Sequence, residues 1–178
     1  MMQKMADKKG YWIFLGMMGS GKTTLGQTVA KMTKKPFLDT DFLVEKRNNA
    51  TSLEIFQQKG ESFFRAEETV LLQRLTIQQG ILGTGGGLVM KKENWREIRR
   101  LGISIFLDVD PLILKRRVEE NRFNRPLLQH KNWQEKFDEL YQFRRPFYLQ
   151  SDFVIQLADT SIQENASSLI ELMNQYGN

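Results

Sequence analysis

The stretch Gly16-Met17-Met18-Gly19-Ser20-Gly21-Lys22-Thr23 decides how the rest of the chain is read. It fits G-x-x-x-x-G-K-[ST], a loop whose glycines let successive backbone N–H groups turn toward one anion. Lys22 can reach the terminal phosphates of a nucleotide, and the Thr23 hydroxyl can ligate Mg²⁺. The flanks agree: Tyr11 to Leu15 is the apolar run of a buried strand, and Thr24 to Met32 continues as a helix whose N-terminal dipole faces the phosphates. A plain Gly-rich turn would account for the glycines alone, not for all fixed positions together with both flanks.

Outward from this loop, strand-like runs recur at Pro36 to Leu38, Gly80 to Gly83, Ile103 to Leu107 and Phe153 to Leu157, separated by helix-like stretches. The alternation predicts an α/β fold with a parallel sheet covered on both faces. Thr51-Ser52-Leu53-Glu54 and Ser161-Ile162-Gln163-Glu164 fit capping boxes, and Asp110-Pro111 offers an N-cap followed by proline at the first helical position. The last helix spaces Ile162, Ala166, Leu169, Ile170 and Met173 along one face, expected to pack on the sheet. Glu119 to Asn132 is polar and charged, and reads as a mobile loop between two helices.

The chain of 178 residues is about one domain, and its 40% hydrophobic content suits an ordered globule. Without cysteine it has neither disulfides nor thiolate metal sites, which fits a reducing cytoplasm. Met1 to Gly10 reads as a short polar leader, and no run approaches the length of a membrane span. The net charge of +5 forms no continuous basic run, so an anionic small molecule explains it as well as nucleic acid does. His130, alone in its loop, reads as solvated, and Trp12, Trp95 and Trp133 read as packing residues.

Four further segments can carry chemistry. Asp39-Thr40-Asp41 closes the second strand-like run, where carboxylates at i and i+2 of an extended backbone share a side; beside phosphates, one could order a metal shell and the other deprotonate a hydroxyl. The plainer alternative is a helix N-cap plus a solvated acid. Arg65 and Glu68 are i, i+3 helical neighbours, either a surface ion pair or a substrate-facing arginine held by its acid. Gly85-Gly86-Gly87 permits close backbone approach to a polyhydroxylated ligand, or is a flexible turn. Arg144 precedes Pro146, which is expected to stop a helix beginning near Lys131 and to leave Arg144 as a C-terminal cap.

Together with Arg125-Pro126-Leu127-Leu128 and Arg144-Arg145-Pro146-Phe147-Tyr148, these motifs, in this order from about Trp12 to Ile155, resemble the shikimate kinases of aromatic amino-acid biosynthesis. The resemblance implies a P-loop α/β/α fold of nucleoside-monophosphate-kinase type, with a five-stranded parallel sheet in the order 2-3-1-4-5. It implies one kinase domain over 1–178, with a substrate-binding helical region at about 40–78 and a lid at about 119–132. It implies an ATP:shikimate 3-phosphotransferase, monomeric and cytoplasmic, with Mg²⁺ as cofactor, ATP and shikimate as ligands, and no nucleic-acid or membrane partner. Asp41 would meet the attacking hydroxyl, while Lys22 and Arg125 would stabilise the transferred phosphoryl. Gly19, Ser20, Gly21, Lys22, Thr23, Thr24 and Arg125 would bind ATP. Arg65 and Arg144 would hold the shikimate carboxylate, Gly86 and Gly87 its hydroxyls, and Glu68 would support Arg65. Thr23 and, through water, Asp39 would hold the metal.

One departure concerns the base of ATP. The family usually carries an adenine-stacking arginine seven residues before the lid arginine, a position held here by Val118, with Arg116 and Arg117 just upstream. Gln150-Ser151-Asp152 is a second, smaller departure where the family often has Glu-Ala-Asp. A carbohydrate kinase on the same core, a nucleotide-binding regulator without turnover and a nucleic-acid-dependent ATPase are the competing functional classes.

Overall fold

Every residue of β1 (Tyr11–Leu15) is buried, as a central parallel strand covered on both faces must be. In the computed structural model, which describes residues 10–120, 122–129 and 131–176, β1 lies between β3 (Gly80–Gly83) and β4 (Gly102–Asp108). Adding β2 (Phe37–Asp39) beside β3 and β5 (Phe153–Gln156) beside β4 completes an all-parallel sheet of order β2-β3-β1-β4-β5. Since β1 has β3 and then β2 on one side and β4 on the other, the P-loop leaves the sheet at an interior strand, next to the place where strand order reverses, where open α/β sheets bind ligands. The readings of residues 1–9 as a leader and of His130 as solvated lie outside the described residues.

The helices follow from local chemistry. Helix α1 (Lys22–Thr33) begins at Gly21, whose φ of 84° is a left-handed conformation that suits glycine. Asp39 caps α2 (Thr40–Asn48), and Thr51 with Glu54 forms a reciprocal capping box on α3 (Ser52–Arg74). Helix α3 is broken at Gly60, with φ 80°, so its second part is aimed separately from its first. Helices α4 (Lys92–Leu101), α5 (Pro111–Glu119), α6 (Trp133–Tyr148) and α7 (Ile162–Tyr176) complete the chain. The main core joins the strands to α1 and α4 to α7, and a smaller cluster of Val44, Ile55 and Phe64 holds α2 on α3.

Three expectations change. Helix α6 does not stop at Pro146 but runs to Tyr148, whose fully buried ring stacks on Phe106 at 5.0 Å and holds the last turn in place. Asp41 is not on extended backbone; it lies in the first turn of α2, because the Asp39 side chain accepts the N–H groups of Asp41 and Phe42 and starts the helix there. Helix α7 packs against α1 through Ala166, Leu169 and Met173, while Ile162 is left outside that face and lines a cleft. The three tryptophans are buried as expected, and Trp95 donates to the Val89 carbonyl. Asp152 accepts from the Ser104 N–H and hydroxyl, fixing the start of β5 on β4.

Candidate active site

A cleft of about 430 Å³ opens along the C-terminal edge of the sheet. Residues Gly19 to Thr24 line it, together with Asp39, Asp41, Thr84, Gly86 and Arg125. The glycines are needed here: Gly19 sits at φ 83°, and a Cβ there would come within 2.8 Å of the Val118 side chain. Lys22 donates to the Gly16 and Met17 carbonyls at 2.9 and 2.8 Å, so in this state its ammonium is parked on its own loop. Burial is the main reason its pKa falls to about 8, with Arg125 and Arg144 adding to the fall and Asp41 opposing it.

Asp39 is the helix N-cap that its sequence position offered as the plainer reading, and its second oxygen has a partner of its own. One carboxylate oxygen caps α2, and the other accepts from the Thr23 hydroxyl at 2.7 Å. That hydroxyl–carboxylate pair, at the N-terminus of α1 and on the wall of the cleft, is the hard oxygen donor set that Mg²⁺ prefers when phosphates and water complete its shell. No cluster of three acids or histidines able to hold a metal exists among the described residues.

Asp41 is pushed up to about 7, first by burial and then by the nearby charges of Glu68 and Asp39. Its Oδ1 and the Oε1 of Glu68 are buried without a hydrogen-bond partner. Both oxygens converge on Gly85, where a Cβ would fall 2.3 Å from Glu68 and 2.4 Å from Asp41. The first glycine of the triplet therefore exists to admit two carboxylates, and the Gly85 N–H is held by the Thr40 hydroxyl at 2.9 Å.

Arg65 and Arg144 differ. Arg65 donates to Glu68 at 2.7 Å and to Glu61 at 3.1 Å, with Glu68 fully buried, so this is no surface ion pair. Its guanidinium also lies where a Cβ on Gly87 would be, at 2.4 Å. Burial works against the Arg65 charge, but the two glutamates outweigh it and its pKa is raised. Arg144 is 2% exposed, has no ion-pair partner among the described residues, and leaves its Nε unsatisfied. Burial lowers its pKa. It is not a C-terminal cap; Arg145, one residue on, turns outward to Asp108 at 2.9 Å.

Arg125 also has an unsatisfied buried Nε, and faces Asp41. The far part of the cleft is formed by Leu157, Thr160, Ile162, Asn165 and Arg117. Arg117 and Arg116 both pair with Asp159, at 3.2 and 2.7 Å, but of the two arginines only Arg117 lines the cleft. Val118 is buried beneath Gly19, so helical phase turns the preceding residue toward the ligand.

The family profile described as shikimate kinase matches residues 18–174, most of the chain. The chain belongs to the shikimate kinase family. It is 40% identical over 161 residues to a shikimate kinase of Prochlorococcus marinus, covering 89% of this chain and 81% of that one. It is 37% identical to a shikimate kinase of Cereibacter sphaeroides, covering 96% and 86%. A solved shikimate kinase from Acinetobacter baumannii, in complex with shikimate, superposes with a TM-score of 0.88 at 29% identity over 98% of both chains. For a shikimate kinase family member, the parallel sheet of order 2-3-1-4-5 is the expected architecture, and the sequence motifs reach its C-terminal edge. The sequence reading missed Thr40 and Gly85, whose part depends on contacts between segments 45 residues apart. It also missed Tyr148, which it quoted but gave no part.

Proposed function

We propose that this chain transfers the γ-phosphoryl of ATP to the 3-hydroxyl of shikimate, giving shikimate 3-phosphate and ADP. The observation that carries this reading is Arg144: a buried guanidinium with no paired carboxylate among the described residues, beside a second arginine already held in place. Such a cation is unfavourable unless a ligand supplies the anion. A carboxylate does so, through charge-assisted hydrogen bonds to the guanidinium.

In this reading Gly19, Ser20, Gly21, Thr23 and Thr24 cradle the nucleotide phosphates, with Lys22 leaving its loop carbonyls to join them. Mg²⁺ would be held by Thr23 and, through water, by Asp39, and when bound neutralises phosphate charge. Asp41, with a proton affinity near neutrality, takes the proton of the attacking hydroxyl. Lys22 and Arg125 stabilise charge on the moving phosphoryl, Arg65 and Arg144 fix the substrate carboxylate, and Glu68 fixes Arg65. Arg117 supplies the face for adenine that Val118 cannot. Transfer is direct, since the chain has no cysteine and a single histidine to accept a phosphoryl. Every group named comes from one chain, which suits a monomer; among the described residues no helix is long and apolar enough to cross a membrane, and we place the enzyme in the cytoplasm.

Purified protein with MgATP and, in turn, shikimate, quinate, gluconate and nucleoside monophosphates tests the reading by ADP release. Shikimate alone should give rapid turnover. Comparable turnover of gluconate, or trapping of a phosphoenzyme with ATP alone, would show the reading to be wrong.

A further inference from the structure

Tyr148 is fully buried, stacks on Phe106, and points its hydroxyl away from the apolar core toward the catalytic cleft. The hydroxyl donates to the Gly86 carbonyl, and the Met17 sulfur of the P-loop lies 4.0 Å from it. The Arg144 side chain, one helical turn earlier on the same face of α6, brings its cation beside the same phenol, where it acts to lower the phenol's pKa. Each partner has a fixed polarity: a guanidinium can only donate and a carbonyl can only accept. A hydroxyl can stand between them, accepting from Arg144 and donating to Gly86, and at this position a phenol supplies it. A neutral phenol is required, and burial keeps it so by raising its pKa to about 12.

We propose that Tyr148 is a positioning residue for the substrate: it locks the Arg144 guanidinium and the Gly86 peptide to each other, so that the carboxylate-binding and hydroxyl-binding sides of the pocket hold one fixed spacing. This rests on the placement of Gly86 and Arg144 in the substrate pocket. Packing alone would be satisfied by phenylalanine, which keeps the ring on Phe106. The hydroxyl is needed because Arg144 has no acidic partner to orient it, unlike Arg65, and because Gly86 lacks a side chain that could anchor its peptide. It also accounts for the continuation of α6 past Pro146, since Tyr148 reaches Gly86 only if the helix adds its last turn.

Tyr148→Phe is the test, read in two ways, with folding checked by circular dichroism. In turnover, the KM for shikimate should rise roughly tenfold, as for loss of a hydrogen bond to a charged group, while kcat and the KM for ATP stay within about twofold. In the ligand-free protein, amide hydrogen exchange over residues 84–88 should quicken roughly tenfold, because the Gly86 carbonyl has lost its anchor. A wild-type KM for shikimate in the variant overturns the proposal, and so does an equal rise in both KM values, which signifies general loosening. The exchange measurement needs no substrate. If the wild-type enzyme ignored shikimate, the functional reading would fail, and exchange alone would decide whether Tyr148 anchors the glycine loop: quicker exchange upholds the anchor and unchanged exchange overturns it.

Discussion

Arg65 and Arg144 carry the same charge and lie close enough to feel one another, yet their electrostatic situations are opposite. Arg65 neutralises Glu68, a carboxylate with no exposure to solvent, whereas Arg144 neutralises nothing among the described residues. Removing one partner of a buried pair strands the other, while removing an unpaired buried charge relieves the fold of a desolvation cost. Arg65→Met should therefore weaken shikimate binding and also destabilise the ligand-free protein by about 3 kcal/mol. Arg144→Met should weaken shikimate binding by roughly 1.5 to 3 kcal/mol, as expected for lost charge-assisted hydrogen bonds, with stability unchanged or raised. Calorimetric titration with shikimate and urea unfolding of both variants check the contrast. Equal destabilisation by the two substitutions would mean that Arg144 has a structural partner.

Between α5 and α6 the chain forms two short 3-10 helices, Arg122–Asn124 and Pro126–Leu128, and the two halves are held differently. Leu128 is fully buried and its helix packs on α3 and α6, which corrects the expectation that this polar stretch has little apolar surface to bury. Phe123, by contrast, is 65% exposed, with Arg122 lying over its ring at 4.1 Å. One end is therefore tethered, and a lid closing here would settle the Arg122 side about the Leu128 anchor rather than move a free loop. Limited trypsin digestion at Arg122 should slow when MgADP and shikimate are both present, since ligands order what few contacts otherwise hold. Arg125→Ala should lose kcat by a factor on the order of 10³ with little change in ATP affinity, as for removal of a charge that acts on the transferring phosphoryl. Unchanged digestion with both ligands saturating, or a normal kcat in the variant, would make the segment a connector only.

At the scale of the whole molecule, the sheet's C-terminal edge gathers the buried Lys22, Glu68 and Arg144 with the half-buried Asp41, only partly paired, into a site that the rest of the fold must stabilise. The acid response follows. Asp41 ionises near 7 in the folded chain against an ordinary 3.8, so between those values the native state holds a proton that the unfolded chain has released. Stability from this group is highest below about pH 4, falls as pH rises through the window, and stays lost above about pH 7. Asp41→Asn, which cannot ionise, should stabilise the ligand-free protein by on the order of 3 kcal/mol above pH 7 and by little near pH 4, while removing nearly all turnover. Urea midpoints of both proteins across that range check this, and a pH-independent difference would contradict it. The strand periodicity, the capping boxes and the P-loop were legible in the residues because each is set by neighbours within a few positions. The same holds for the cap that Asp39 makes on α2, whereas its bond from Thr23 joins residues 16 positions apart. Tertiary structure alone decided whether Arg65–Glu68 was a surface pair or a buried one, that Arg144 has no ion-pair partner among the described residues, that Arg117 and not Arg116 meets the cleft, and that α6 outlasts Pro146. Those outcomes rest on desolvation and on contacts between distant segments, and a side chain's burial is a property of what packs over it, which no local pattern of residues contains.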